Sequence, residues 1–93
     1  MRVMLRFTIP VERGNQAAAD GSLERTFEAL RSENKPEAAY FYVEQGKRAG
    51  LLVLEVADVV QLPRINEPLF AALDASIEIT PVLTADDLKR GLG

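Results

Sequence analysis

Along Arg2 to Ile9 the chain reads RVMLRFTI, with Val3, Leu5, Phe7 and Ile9 alternating with Arg2, Met4, Arg6 and Thr8. A period of two marks a half-buried strand. Pro10 ends it, because proline has no N–H for the ladder. The spacing then changes. Leu23, Phe27 and Leu30 stand at i, i+4 and i+7, on one face of a helix, while Glu24, Arg25, Glu28 and Arg31 point elsewhere. Asp20-Gly21 interrupts this segment, so the pattern predicts a short helix over about Asn15 to Asp20. A longer one runs from about Leu23 to Ser32, with Ser22 as N-cap, Asn34 at its end and Pro36 preventing resumption.

Two further strands follow, about Ala39 to Gln45 and Ala49 to Ala57, joined at Gly46, which suits a turn position with positive φ. Asp58 is placed to cap a second helical region, which Pro63 and Pro68 divide into pieces near Leu62 to Asn66 and Leu69 to Leu73. The last strand lies in SIEITPVL, and Thr84 opens a terminal helical turn with Asp86 and Asp87 at its positive end. The order is β-α-β-β-α-β. It predicts an α+β, ferredoxin-like protomer with a four-stranded antiparallel sheet and the helices on one face.

That topology gives the strand pattern a consequence. Val3, Leu5, Phe7, Ile9, Phe41, Val43, Leu52, Leu54, Val56, Ile77 and Ile79 form an apolar face that must receive the helices. The opposite face carries Met4, Arg6, Thr8, Tyr40, Tyr42, Glu44, Leu51, Val53, Glu55, Glu78, Thr80 and Val82, and no helix is left to cover it. Such a face is too apolar for a solvated surface and too charged for a dry core. Apposition of two chains through this face satisfies both conditions, so a homodimer or a higher assembly of dimers is expected.

Ninety-three residues fit one domain, residues 1–93. A chain of this length buries only a little over about 60% of its unfolded surface. With neither Cys nor His, disulfides, thiolate-bound metal, iron–sulfur chemistry and axial histidine ligation of haem are excluded as reinforcement or as chemistry. Association is the reinforcement left. Eleven Lys and Arg against fourteen Asp and Glu give a net charge of −3, which argues against a nucleic-acid partner. An RNA recognition module of the same element order stacks bases on third-strand aromatics, and here that strand reads GLLVLEV. Ala49 to Val60, the most apolar run, is broken by Glu55 and Asp58, so no membrane span is expected. Met1-Arg2 leads straight into a strand-like run, and a cytoplasmic location is the expectation.

The stretch GKRAGLLVLEVADVVQLPRINEPLFAALDASIEITPV, Gly46 to Val82, resembles the second half of muconolactone isomerases and their relatives within the dimeric α+β barrel superfamily. The likeness lies in the glycine-led hairpin strand, the aspartate before the helix, EPLF at Glu67 to Phe70 and the I-E-I of the final strand. Arg2 to Pro36 matches poorly, and no catalytic residue is carried over. The resemblance implies a barrel-forming dimer with an internal cavity and a setting in bacterial small-molecule metabolism.

The residues of the uncovered face suggest their own chemistry. With the first strand between the third and fourth, Arg6 is expected beside Glu55 and beside Glu78 or Thr80, with Tyr42 and Glu44 a strand further. A partly desolvated Glu55 could take a proton from carbon next to a carbonyl, Arg6 could hold the enolate or a substrate carboxylate, and Tyr42 could orient or protonate it. Tyr40, Glu44, Glu78 and Thr80 would complete the ligand site. This is proton-transfer isomerisation of a small carboxylated metabolite, with no cofactor and no metal. The competing reading makes Arg6 and Glu55 an interface ion pair and Tyr40 and Tyr42 amphipathic interface residues of a noncatalytic module with a packed interior.

Overall fold

In the computed structural model, which describes residues 1–93, the chain forms an α+β fold with four strands and four helices. The strands are β1 (Arg2–Ile9), β2 (Ala38–Glu44), β3 (Lys47–Glu55) and β4 (Ser76–Pro81), arranged β2-β3-β1-β4 in one sheet. All three pairings are antiparallel. The helices are α1 (Val11–Asp20), α2 (Ser22–Asn34), α3 (Gln61–Leu73) and α4 (Ala85–Leu92). The expected ferredoxin-like frame is present, with α1 and α2 in place of one helix and α4 added at the end.

The alternation holds on β1 and β3, but Phe41 and Val43 of β2, expected on the covered face, are exposed because the helix layer stops short of the edge strand. Val3, Leu5, Phe7 and Ile9 of β1, Leu52 and Leu54 of β3 and Ile65, Leu69 and Leu73 of α3 form the core together with Leu30 of α2. No polar or charged residue is buried with them. Gln45 (φ 50°) and Gly46 (φ 79°) make the two-residue turn between β2 and β3 and set Glu44 opposite Lys47. Two consecutive positive φ values match the right-handed twist of a hairpin.

Several boundaries differ from the sequence pattern, each for a physical reason. α1 starts at Val11 and not near Asn15. Pro10 serves as its N-cap, its carbonyl accepting from Gly14 N at 2.8 Å. Gly14 is in the helix because α1 approaches the sheet there: a Cβ would stand 2.8 Å from Arg48 Nη1 and 3.4 Å from Ile9 Cγ2. Gly21 (φ 83°) separates α1 from α2 and occupies the N-cap position expected for Ser22, whose amide instead donates to Asp20 Oδ1 at 2.8 Å.

α3 is one helix and not two pieces. Pro63 falls in its first turn, where an unsatisfied N–H is normal, and Pro68 lies inside it. An interior proline costs about 3 kcal/mol. Burial of Ile65, Leu69 and Leu73 at i, i+4 and i+8, each contributing about 1.5–3 kcal/mol, offsets that cost. Val60, not Asp58, is the N-cap. Asp58 Oδ1 accepts from Val60 N at 3.1 Å, and Gln61 Oε1 accepts from Ala57 N and Asp58 N at 2.7 and 3.0 Å.

Gly50 is a packing requirement. It lies between Phe7 of β1 and Phe41 of β2 in the register, and the Phe7 ring lies over it so closely that a Cβ would meet Phe7 Cζ at 2.2 Å. That position lets Phe7 stack on Phe27 of α2, with centroids 5.2 Å apart, while Phe27 meets Phe41 edge-on at 5.1 Å. Gly50→Ala is expected to destabilise the chain by about 1–3 kcal/mol through overpacking, read as a lower urea midpoint at unchanged slope.

Candidate functional site

Register decides which open-face residues meet. Arg6 stands between Leu51 of β3 and Glu78 of β4, and Leu51 faces Tyr40 of β2, so one row across the sheet reads Tyr40, Leu51, Arg6, Glu78. Arg6 Nη2 donates to Glu78 Oε2 at 2.7 Å. The next row towards the hairpin holds Tyr42, Ala49, Thr8 and Ser76, and the row on the other side holds Ala38, Val53, Met4 and Thr80. Arg6, Thr8, Glu44, Ser76 and Glu78 share a shallow depression of about 270 Å³.

The expected neighbour Glu78 is therefore beside Arg6, and Glu44 joins them. Glu55 is not. It faces Arg2, four residues further along β3 than the row of Arg6 and so about 13 Å away at the usual strand rise. There it accepts from the Met1 amino group at 2.8 Å, with its side chain two-thirds exposed. Thr80 lies one row from Arg6 opposite Met4. Tyr40 and Tyr42 are on the edge strand, both exposed. The structure thus pairs Arg6 with Glu78, leaves Glu44 lining the same depression without a contact to Arg6, and separates from them the glutamate expected to act as base.

Two carboxylates and one guanidinium make the depression net negative. Arg6 places one nitrogen on Glu78, leaving its other N–H donors without a protein partner. An incoming carboxylate would have to compete with Glu78 for that guanidinium. No three metal-ligating side chains gather anywhere in the chain.

A second charged centre escaped the sequence pattern. Arg2 Nε is hydrogen-bonded to Glu37, just ahead of β2, and Arg2 Nη1 lies 3.7 Å from Asp87 Oδ2 at the start of α4. The hydrogen bond and charge of Glu37, with further charge from Glu55 and Asp87, raise the proton affinity of the Arg2 guanidinium. The signal was present as alternation: Arg2 shares a face with Arg6 and Glu55. What alternation lacks is the offset along the strand.

Asp87 also closes the N-terminus of α4. Its carboxylate accepts from Thr84 N at 3.1 Å, while its own amide donates to Thr84 Oγ1 at 3.0 Å, a reciprocal capping box. These bonds to Thr84, backbone first, hold the Asp87 carboxyl below its ordinary range, with Arg90 and Arg2 adding attraction against partial desolvation. A lowered carboxyl value means that the cap contributes fully above the ordinary carboxylate range and is lost as pH falls through the folded value. A carbon-13 NMR titration is expected to place Asp87 below the ordinary carboxylate range, and Thr84→Ala should move it upward. No protein-family model matches the chain, and no curated protein matches it in sequence.

Proposed function

We propose that the chain works as a self-associating module whose open sheet face closes against the same face of a second copy. Two four-stranded sheets would then enclose a common interior, the arrangement implied by the resemblance to muconolactone isomerase-like dimeric barrels, whose setting is cytoplasmic small-molecule metabolism. The observation that supports it is the composition of that face. Met4, Leu51, Val53 and Val82 are only half-buried there, and Tyr40 and Tyr42 stand exposed beside them. A contiguous patch of this kind marks an association surface.

Val53 is near the middle of the face, so Val53→Lys puts an unpaired charge into the pairing surface. Sedimentation equilibrium is expected to show a dimer for the unmodified chain and a rise in dimer Kd of about a hundredfold or more for the variant, equivalent to about 3 kcal/mol. A chain that is monomeric at micromolar concentration, or a variant that dimerises unchanged, refutes the proposal.

The depression at Arg6 favours a second reading, in which the enclosed interior binds a small carboxylated metabolite and isomerises it by proton transfer. Arg6 would hold the carboxylate. The proton acceptors of that reading are Glu78 and Glu44, because these share the depression with Arg6. Arg6→Met separates the readings. If the interior is a ligand site, the variant stays dimeric and loses the amide shift changes that a panel of small carboxylates and lactones induces in the unmodified protein. If the interior is filled, no member of the panel binds the unmodified protein and Arg6→Met weakens the dimer.

A further inference from the structure

The last helix and the underside of β2 are both left uncovered, and both present apolar side chains. α4 buries none of its residues, although an eight-residue helix is far too short to persist in water on propensity alone. Its first turn is fixed by the capping box and by Arg2, and its apolar side stays largely exposed. Leu88 and Leu92, one turn apart, are 50% and 80% exposed. Beside them Lys89 makes no ion pair, whereas Arg90 is taken by Asp86 and Asp87.

The complementary surface lies between α2 and β2. The helix layer stops short of the edge strand, leaving Phe41 59% and Val43 75% exposed on the side of the sheet that is elsewhere the core face. An apolar groove of about 350 Å³ opens there, lined by Phe7, Ile9, Leu23, Phe27 and Phe41. A smaller hollow of about 110 Å³ continues it along Phe27, Phe41 and Leu52. Glu24 and Glu28 of α2 line the groove. Glu28 is paired with Arg31, while Glu24 has no ion-pair partner. Arg48 lines the groove as well, donating to Asn15 Oδ1 and in no ion pair, so the groove is apolar with one acid and one base unpaired, and α4 offers apolar side chains with an unpaired base for the acid.

We infer that α4 of one copy docks in the α2–β2 groove of a second copy, with Leu88 and Leu92 against Phe27 and Phe41 and Lys89 facing Glu24. The occupant cannot be the chain's own α4. That helix is rooted where β4 ends beside Arg2, and the groove lies by Phe7, Ile9 and Ala49 at the other end of the sheet, two strands across. The separation is about 20 Å along the strands and about 10 Å across them, beyond a helix about 12 Å long. Exchange in both directions closes a dimer of twofold symmetry. This contact goes beyond the sheet-face pairing and does not require it.

Because the chain has no cysteine, introduced thiols report the contact directly. One chain carrying Leu92→Cys and another carrying Glu24→Cys, mixed under mild oxidation, are expected to give a covalent heterodimer. A control mixture of Leu92→Cys with Glu12→Cys, on the exposed start of α1, should give far less. Equal yields in the two mixtures overturn the inference. In a second measurement, Leu88→Glu with Leu92→Glu changes only exposed positions, so circular dichroism should be retained while dimer Kd rises about tenfold or more. The emptied groove should then bind the apolar dye 1-anilinonaphthalene-8-sulfonate more strongly than the unmodified protein does. Dye binding that is already equal in the unmodified protein means the groove accepts small molecules and not α4, and overturns the inference. A dimer that survives the double substitution and dissociates with Val53→Lys overturns it too, while leaving the sheet pairing standing.

Discussion

Three helices on one side of a four-stranded sheet can cover only part of it, and most of what is unusual about this chain descends from that shortage. α1, α2 and α3 enclose the core over β1 and β3. Nothing covers the opposite face, and the layer ends before β2 on the near one. The edge strand is exposed almost throughout, despite the sequence AAYFYVE. Edge strands of soluble proteins usually carry charge, proline or a bulge to discourage pairing. β2 has a single charge, Glu44 at its end, and otherwise offers aromatic and branched side chains to both sides. An apolar strand so placed is tolerable when other chains are meant to lie against it.

What attaches β2 to the helices is a short aromatic series. Phe7 crosses Gly50 to stack on Phe27, and Phe27 meets the edge of Phe41. Edge-to-face and offset stacked rings add about 0.5–1.5 kcal/mol per pair beyond area burial. These rings also form the floor of the α2–β2 groove. The same three residues therefore stabilise the strand and shape the surface where a partner helix would rest, so the glycine in mid-strand serves both. Its usual cost in a strand is offset by the ring that lies over it.

How far the sequence could be read depended on what kind of order each residue carries. Face assignments were legible, because period two places Val3 and Arg6 on opposite sides whatever the rest of the chain does. The offset between β1 and β3 was not. Sliding one strand by four residues preserves every face, so alternation cannot distinguish Arg6 opposite Glu55 from Arg6 opposite Leu51. The expected Arg6–Glu55 pair failed at this step, and of the two residues left open on the last strand, Glu78 and Thr80, it is Glu78 that stands beside Arg6. Helix boundaries misled where tertiary packing opposed local preference: Gly14 is in α1 because the sheet is close, and Pro68 is in α3 because Ile65, Leu69 and Leu73 are buried around it. Thr84 and Asp87 announced a helix start, but the length of α4 and its lack of a home in its own chain appear only in three dimensions.

The arrangement of charge on the open face bears on what pairing would achieve. Arg6 and Glu78 are exposed in the single chain, their side chains 44% and 73% accessible, where such a bridge contributes about 0–1 kcal/mol. Enclosed between two sheets, the same pair would lose water from both partners, and its mutual attraction would do little more than offset that loss. Affinity must then come from Leu51, Val53, Met4 and the tyrosines. The ion pair acts on register instead. A shift of one sheet over the other would press Arg6 or Glu78 against Val53 or Leu51 of the second copy, and an unpaired charge in such surroundings is far costlier than a paired one. Two copies of a paired charge on an apolar field thus permit few ways for the faces to meet, which a uniformly apolar sheet would not do.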